Sequence, residues 1–470
     1  MKSLTKRILA IALIAVIGIG IGVGVFFFLQ DPTYQWSATD CPGAPSGISE
    51  SQIIRIGVAG DTERIQGEGQ LNGARMAAEE INSAGGIVVG STTYYIGITY
   101  ENTDEANPIL NPATAVAAAT RLIDYKRVQF ATGGFRTEAL GAYRGLFMEE
   151  EIIFINTGAA PADFCASVLA DYDTYKYFFQ NNPINTTALA GELIKLLIGT
   201  AYGLTLGTGH NVTRFSFMRE DLTWTADFQA AITAVCTNLT GTNTNFVMDY
   251  TGVDIAFPQD VTPVEMATHW ATVNNSNTQI VIPIISGSAG LIFSNSYGNF
   301  QPNCIPIGIN VLSQDGAFWT DTGGLCEYGV TLESIFQTNK TSLTIPFWNN
   351  YVGNFTDTPI YTATGSYDAI KQYAYAIEEA QSFNSDLVIT ALESINTSNP
   401  IEGAAGFGAF DSSHCTVEGW PYGTALAIQW YDGAKILIPG VGIYPSGVYL
   451  PALQNLQPIE LPSWGLNFYD

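Results

Sequence analysis

The chain has 470 residues, 47% of them hydrophobic, too many for one ordinary core and enough for two or three domains. Its formal charge of −25 comes from scarce bases, 18 Lys and Arg against 43 Asp and Glu, in a chain that is only 13% charged. Such a surface repels phosphate backbones, so no nucleic-acid partner is expected.

Lys2, Lys6 and Arg7 precede an uncharged apolar run from Ile8 to Leu29. At about 1.5 Å per residue that run spans about 33 Å, enough to cross a bilayer. The basic stub predicts that everything after Gln30 lies outside, so a single transmembrane anchor over 8–29 is expected. A cleaved signal peptide is the competing reading; the run is long for one, and no small-x-small site follows closely. Residues 30–52, with Pro32, Cys41-Pro42-Gly43, Pro45 and Gly47, read as a linker.

Then strands and helices alternate. Ile53 to Ala59 has strand length and composition, and Leu71, Ala74, Ala78 and Ile81 repeat at helical spacing up to the Gly85-Gly86 stop. Tyr94 to Tyr100, Val128 to Thr132 and Ile152 to Asn156 read as strands. A helix opened by Asn111-Pro112 and another from Ala139 to Met148 fall between them. The pattern continues with helices at 186–199, 224–236 and 263–273, and strands at 214–218, 246–250, 279–285 and 305–309. Helices over Tyr367 to Ala380 and 387–395 follow, and a hairpin turns at Asp432-Gly433. Alternation of this kind predicts parallel sheets covered by helices on both faces, with a ligand cleft between two such sheets.

Cysteines stand at Cys41, Cys165, Cys236, Cys304, Cys326 and Cys415, all beyond the apolar run. An even number in an oxidising compartment suggests disulfides; six permit 15 connectivities, and Cys304–Cys326, flanking a turn-rich stretch, is the favoured single pair. Only His210, His269 and His414 add imidazoles, and no CxxC occurs, so no metal site or cofactor is expected. Sequons at Asn185, Asn211, Asn238, Asn274, Asn339, Asn354 and Asn396 fit an exported glycoprotein surface. G-x-S-x-G, H-E-x-x-H and the Walker glycine loop are all missing, which argues against an enzyme.

Several motifs in order carry a resemblance. They are Ile54-Arg55-Ile56-Gly57-Val58, Asn72-Gly73-Ala74-Arg75, the stretch Glu79 to Ile87, Ser366-Tyr367-Asp368-Ala369, the stretch Gly406 to Asp411, and Ala427 to Gly433. Together they resemble type I periplasmic binding proteins, in particular the leucine/isoleucine/valine and amide-binding group of ABC transporters, from about Ile53 to Trp464. The resemblance implies two Rossmann-like α/β lobes joined by three crossovers, near 180, 333 and 408. Lobe 1 would comprise 53–180 and 334–408, and lobe 2 would comprise 181–333 and 409–464. It further implies an extracellular or periplasmic component of an importer that captures an amino acid or related amide or carboxylate and docks on ABC permease subunits. A sensing ectodomain with a separate signalling partner is the alternative.

Site residues follow by position. Thr137, before a helix, matches the hydroxyl residue that holds a ligand carboxylate, and Arg136 beside it offers a second anion contact. Ala159 offers its backbone, while Ala160 replaces a usual hydroxyl. Trp224 falls where an aromatic covers the ligand, and Gln66 replaces a more usual aromatic. Asn310 stands where an acid commonly meets the ligand ammonium, with Asp315 nearby as a substitute.

Overall fold

Ile53–Gly60 (β1) is buried almost throughout, as a continuous apolar run must be at the centre of a parallel sheet. The computed structural model describes residues 33–239, 248–355, 357–438 and 457–466; the expected anchor at 8–29 lies outside them. The remaining strands are β2 (Ile87–Val89), β3 (Thr92–Asn102), β4 (Phe130–Gly133), β5 (Ile153–Asn156), β6 (Phe178–Gln180), β7 (Arg214–Glu220), β8 (Asp249–Phe257), β9 (Ile280–Ile285), β10 (Ile305–Asn310), β11 (Val330–Glu333), β12 (Ile401–Glu402), β13 (Phe407–Gly408), β14 (Leu426–Tyr431) and β15 (Ala434–Leu437). One sheet has the order β2-β3-β1-β4-β5-β6 and the other β15-β14-β11-β10-β9-β7-β8. The first is parallel from β3 to β6; the second is parallel from β8 to β11 and ends in the expected antiparallel hairpin. This is the two-lobed α/β architecture that the alternating pattern predicts.

In each sheet the strand order reverses beside the first strand of the lobe, β1 in one and β7 in the other. Ligands bind at such reversals, because neighbouring loops leave the strand ends in opposite directions and open a crevice. Glycine builds the crevice in lobe 1. Gly133 has φ +120°, and a Cβ there would stand 2.1 Å from Ala59 O; a Cβ on Gly158 would stand 2.1 Å from Gly134 O. The loops after β4 and β5 therefore lie directly against each other.

Two helices start earlier than their apolar spacing predicts. The first runs over Ile65–Ser83 rather than from Leu71, the second over Tyr361–Ala380 rather than from Tyr367. Their extra turns are polar or glycine-rich, Gln66 to Gln70 in one and Thr362 to Ser366 in the other, yet all of these residues except Glu68 are buried and the two helices pack against each other. Thr362 Oγ1 donates to Gln66 O at 2.8 Å, and a Cβ on Gly73 would meet Ala363 O at 2.0 Å. Helix Thr186–Thr208 is long and apolar enough to span a membrane, but Leu193, Leu196, Leu197 and Ala201 are fully buried in the second lobe's core.

The crossovers are tied together. Lys340, in the second, donates to Ser334 O (2.9 Å) and to Thr424 O in the third (2.7 Å); Asn182, in the first, donates to Ser334 Oγ (3.1 Å). The chain stays beside the first sheet beyond the expected crossing at 408. Gln180 and Thr416 exchange backbone bonds with the 414–416 stretch and β6, and a disulfide joins Cys165 to Cys415.

That disulfide replaces the expected Cys304–Cys326 pair. Cys304 packs beneath Tyr297 and Phe293, whereas Cys326 belongs to a separate cluster with Phe318 and Trp430; both are buried free thiols. Burial pushes the Cys326 thiol up to about 11 and the Cys304 thiol higher, so neither forms a reactive thiolate. Because Cys165–Cys415 closes a loop of 250 residues, its removal as Cys165→Ser/Cys415→Ser is expected to cost about 3–5 kcal/mol, read from denaturant midpoints. An unchanged midpoint would show that backbone pairing alone holds the third crossover.

Candidate ligand-binding cleft

Between the sheets lies a cleft, partly open to solvent. Its walls are mainly apolar: Phe135 from lobe 1, Ile309, Val311 and Leu332 from the strand ends of lobe 2, and Ile184, Leu189, Trp224 and Tyr361 around them. Polar groups are supplied by Thr137, Asn181, Asn182, Ser286, Gln314, Ser334, Thr416 and Thr424, and charged ones by Arg136, Glu333 and Asp368. An apolar wall with polar groups converging on it is the usual construction of a small-solute site.

Of the residues expected from the sequence, Arg136, Thr137, Ala160 and Trp224 line this cleft. Thr137 opens helix Thr137–Glu149 and is buried, and Trp224 opens helix Thr223–Leu239 and packs on Phe228. Ala159 does not line the cleft; its N–H and carbonyl are both taken by the Asn156 side chain, at 3.1 and 2.6 Å. Asn310 is a correction. Its amide turns away from the cleft and donates to Gly290 O (3.0 Å) and Ser294 Oγ (3.3 Å), behind β10. Side chains alternate along a strand, so Ile309 faces the cleft and Asn310 the helix behind. Asp315 likewise belongs elsewhere, to a separate recess with Glu68, Tyr351 and Asp357.

Gln66 and Arg136 join the lobes. Gln66 Nε2 donates to Ser286 O at 3.2 Å, and Arg136 Nη1 donates to Gln259 Oε1 at 2.9 Å. A third bond runs from Thr223 N–H of lobe 2 to Glu138 Oε1 of lobe 1, at 3.0 Å. Together they form a latch across the mouth, made at the two strand-order reversals.

Behind the latch stand two carboxylates with no counterpart in the expected site. Glu105 accepts from the N–H groups of Phe135 and Arg136, both at 3.1 Å, and from Thr103 Oγ1 at 3.0 Å. Glu220 accepts from Ser286 N–H and Oγ and from Gly287 N–H, each at 2.8 Å. Both are fully buried. Sequence patterning offered no signal for either, since single acids at loop and strand ends are ordinarily solvated. Tyr361, Asn181 and Asn182 also escaped notice, because their crossover segments have no periodicity to read.

The family model for periplasmic binding proteins matches residues 54–418. No curated protein matches the chain. Solved structures share the fold at low identity. A leucine binding protein, LivK, from Thermotoga maritima is 12% identical over 82% of this chain and 98% of its own, with a TM-score of 0.65. The branched-chain amino acid transporter substrate binding protein LivJ from Streptococcus pneumoniae, in complex with isoleucine, is 16% identical over 82% and 99%, with a TM-score of 0.63. A solute binding protein of an ABC transporter from Rhodopseudomonas palustris HaA2, in complex with p-hydroxybenzoic acid, is 15% identical over 88% and 99%, with a TM-score of 0.64.

Two outcomes follow. Asn310→Asp is expected to lower stability, because the new carboxylate loses both amide donations in a buried site, and to leave solute preference unchanged; a changed preference in calorimetry would put position 310 back in the cleft. Stability should also depend on pH. Burial raises the carboxyls of Asp368 to about 6, Glu105 and Glu333 to about 7, and Glu192 to about 8. Each binds its proton more tightly folded than unfolded, so their contribution is full at acid pH and is lost as pH rises through about 6 to 8. Lys340, lowered to about 8 by burial, acts oppositely, adding stability only as pH climbs from there. A melting temperature higher at pH 5.5 than at pH 8 is expected; the reverse order would contradict this assignment.

Proposed function

The chain belongs to the periplasmic binding protein family, and from that premise we propose that it captures an amino acid or related small amide or carboxylate by lobe closure. It would do so outside the cell, tethered by the apolar segment at 8–29, as the solute-binding component of an ABC importer whose permease subunits receive the closed form. The family consists of substrate-binding proteins of transporters rather than enzymes, and the cleft is built for binding. The observation that carries the reading is the latch: Gln66–Ser286, Arg136–Gln259 and Glu138–Thr223 can form only when the lobes come together around the cleft.

The physical sequence is short. A solute lands on Phe135, Thr137 and Ala160 of lobe 1, and closure brings Trp224, Ile309 and Leu332 over it. Apolar surface leaves water at about 25 cal/mol per Å², which supplies affinity, while the latch bonds, about 1 kcal/mol each, favour the closed arrangement. A ligand shifts the lobes only by its preference for the closed state over the open one. The likeness to relatives solved with isoleucine and with p-hydroxybenzoic acid supports a solute with a compact apolar body.

A thermal-shift screen of the full-length chain against amino acids, short amides, urea and small carboxylates tests this reading. At least one should raise the melting temperature and reduce the radius of gyration in small-angle scattering. If no compound does either, solute capture is refuted. Arg136→Ala should weaken the best ligand about five- to tenfold, mainly through faster dissociation, because one latch bond is lost from the closed form only.

A further inference from the structure

Turns that leave parallel strands present backbone N–H groups without helical partners, and such groups receive anions. In this protein its own carboxylates have taken them. After β1, Asp61 accepts from the N–H groups of Glu63 (3.3 Å) and Ala106 (3.2 Å). After β4, Glu105 accepts from Phe135 and Arg136; after β9, Glu220 accepts from Ser286 and Gly287. After β7, Thr223 donates to Glu138 of the opposite lobe. Four strand-end turns around the mouth, those after β1, β4, β7 and β9, are thus capped by a carboxylate of the chain.

The nearby cations are equally committed. The Arg136 guanidinium is engaged by Asn107 O (3.0 Å), Gln259 Oε1 and Glu138 (3.4 Å). Lys340 is held by two backbone carbonyls, and Lys435 by Gln314 O and both oxygens of Glu333. An incoming carboxylate would meet like charge at these four turns, with the N–H groups that the carboxylates cap already occupied. An amide or amine meets no such repulsion.

The geometry points to a cleft that selects against free carboxylates and takes a neutral or cationic solute, an amide or amine on a compact apolar body. This rests on the solute-capture reading and names its substrate class. Glu105 and Glu220 are the specificity-determining residues, one behind each wall.

The test is calorimetry of the full-length chain at pH 8 with matched probes: isoleucine against isoleucinamide, and benzoate against benzamide and benzamidine. The amides or the amidine should bind at least tenfold more tightly than the acids. Glu105→Gln, whose amide oxygen can still accept from the two N–H groups, should reduce that ratio at least fivefold. Equal binding of acid and amide by the unmodified chain would overturn the inference, and so would an unchanged ratio in a folded Glu105→Gln variant. Should that variant not fold, the ratio in the unmodified chain decides alone. Binding of none of the five probes, together with no compaction in scattering, would sink solute capture itself and this inference with it.

Discussion

At the cleft end of each parallel strand the chain must satisfy N–H groups that leave the sheet, and with 18 basic residues against 43 acidic ones it must also house carboxylates with few cations to meet them. Each need answers the other. Glu105 and Glu220 sit fully buried on pairs of backbone N–H groups, with a threonine or serine hydroxyl completing the shell. Those bonds fix the turns from which Arg136 and Ser286 reach across the mouth. The turns that carry the latch depend on these two carboxylates.

The three crossovers run together beside the cleft, where Lys340 and Asn182 tie them to one another. There the few available cations are used structurally. Lys340 joins the second crossover to the third through carbonyls rather than through a carboxylate, and Lys435 pairs with Glu333 in a buried contact at 3.1 Å. The Cys165–Cys415 bond fixes the third crossover to lobe 1 before it enters β14.

Much of the architecture was legible because burial imprints itself on sequence. Runs such as Ile53 to Ala59 and Ile280 to Ile285 are apolar at successive positions, as strands covered on both faces require. The Asn111-Pro112 start, whose side chain accepts from Ala113 N–H, and the Asp432-Gly433 turn are local chemistry with local consequences. What escaped was buried yet polar. The first turns of helices Ile65–Ser83 and Tyr361–Ala380 carry no apolar stripe, because glycine and hydroxyl groups let the two backbones approach closely.

Sequence alone therefore determined the two-lobed α/β plan, the family, and a stretch of the cleft wall that includes Thr137, Ala160 and Trp224, since each rests on periodicity, turn chemistry or ordered motifs. Tertiary structure decided what those residues surround. It turned Asn310 away from the cleft, placed Arg136 and Gln66 in bonds between lobes, paired Cys165 with Cys415, and set Glu105 against N–H groups thirty residues further along. The reason is physical: periodicity records which face of an element is buried, but the partner of a buried polar group is chosen by the packing of distant segments, which leaves no local pattern.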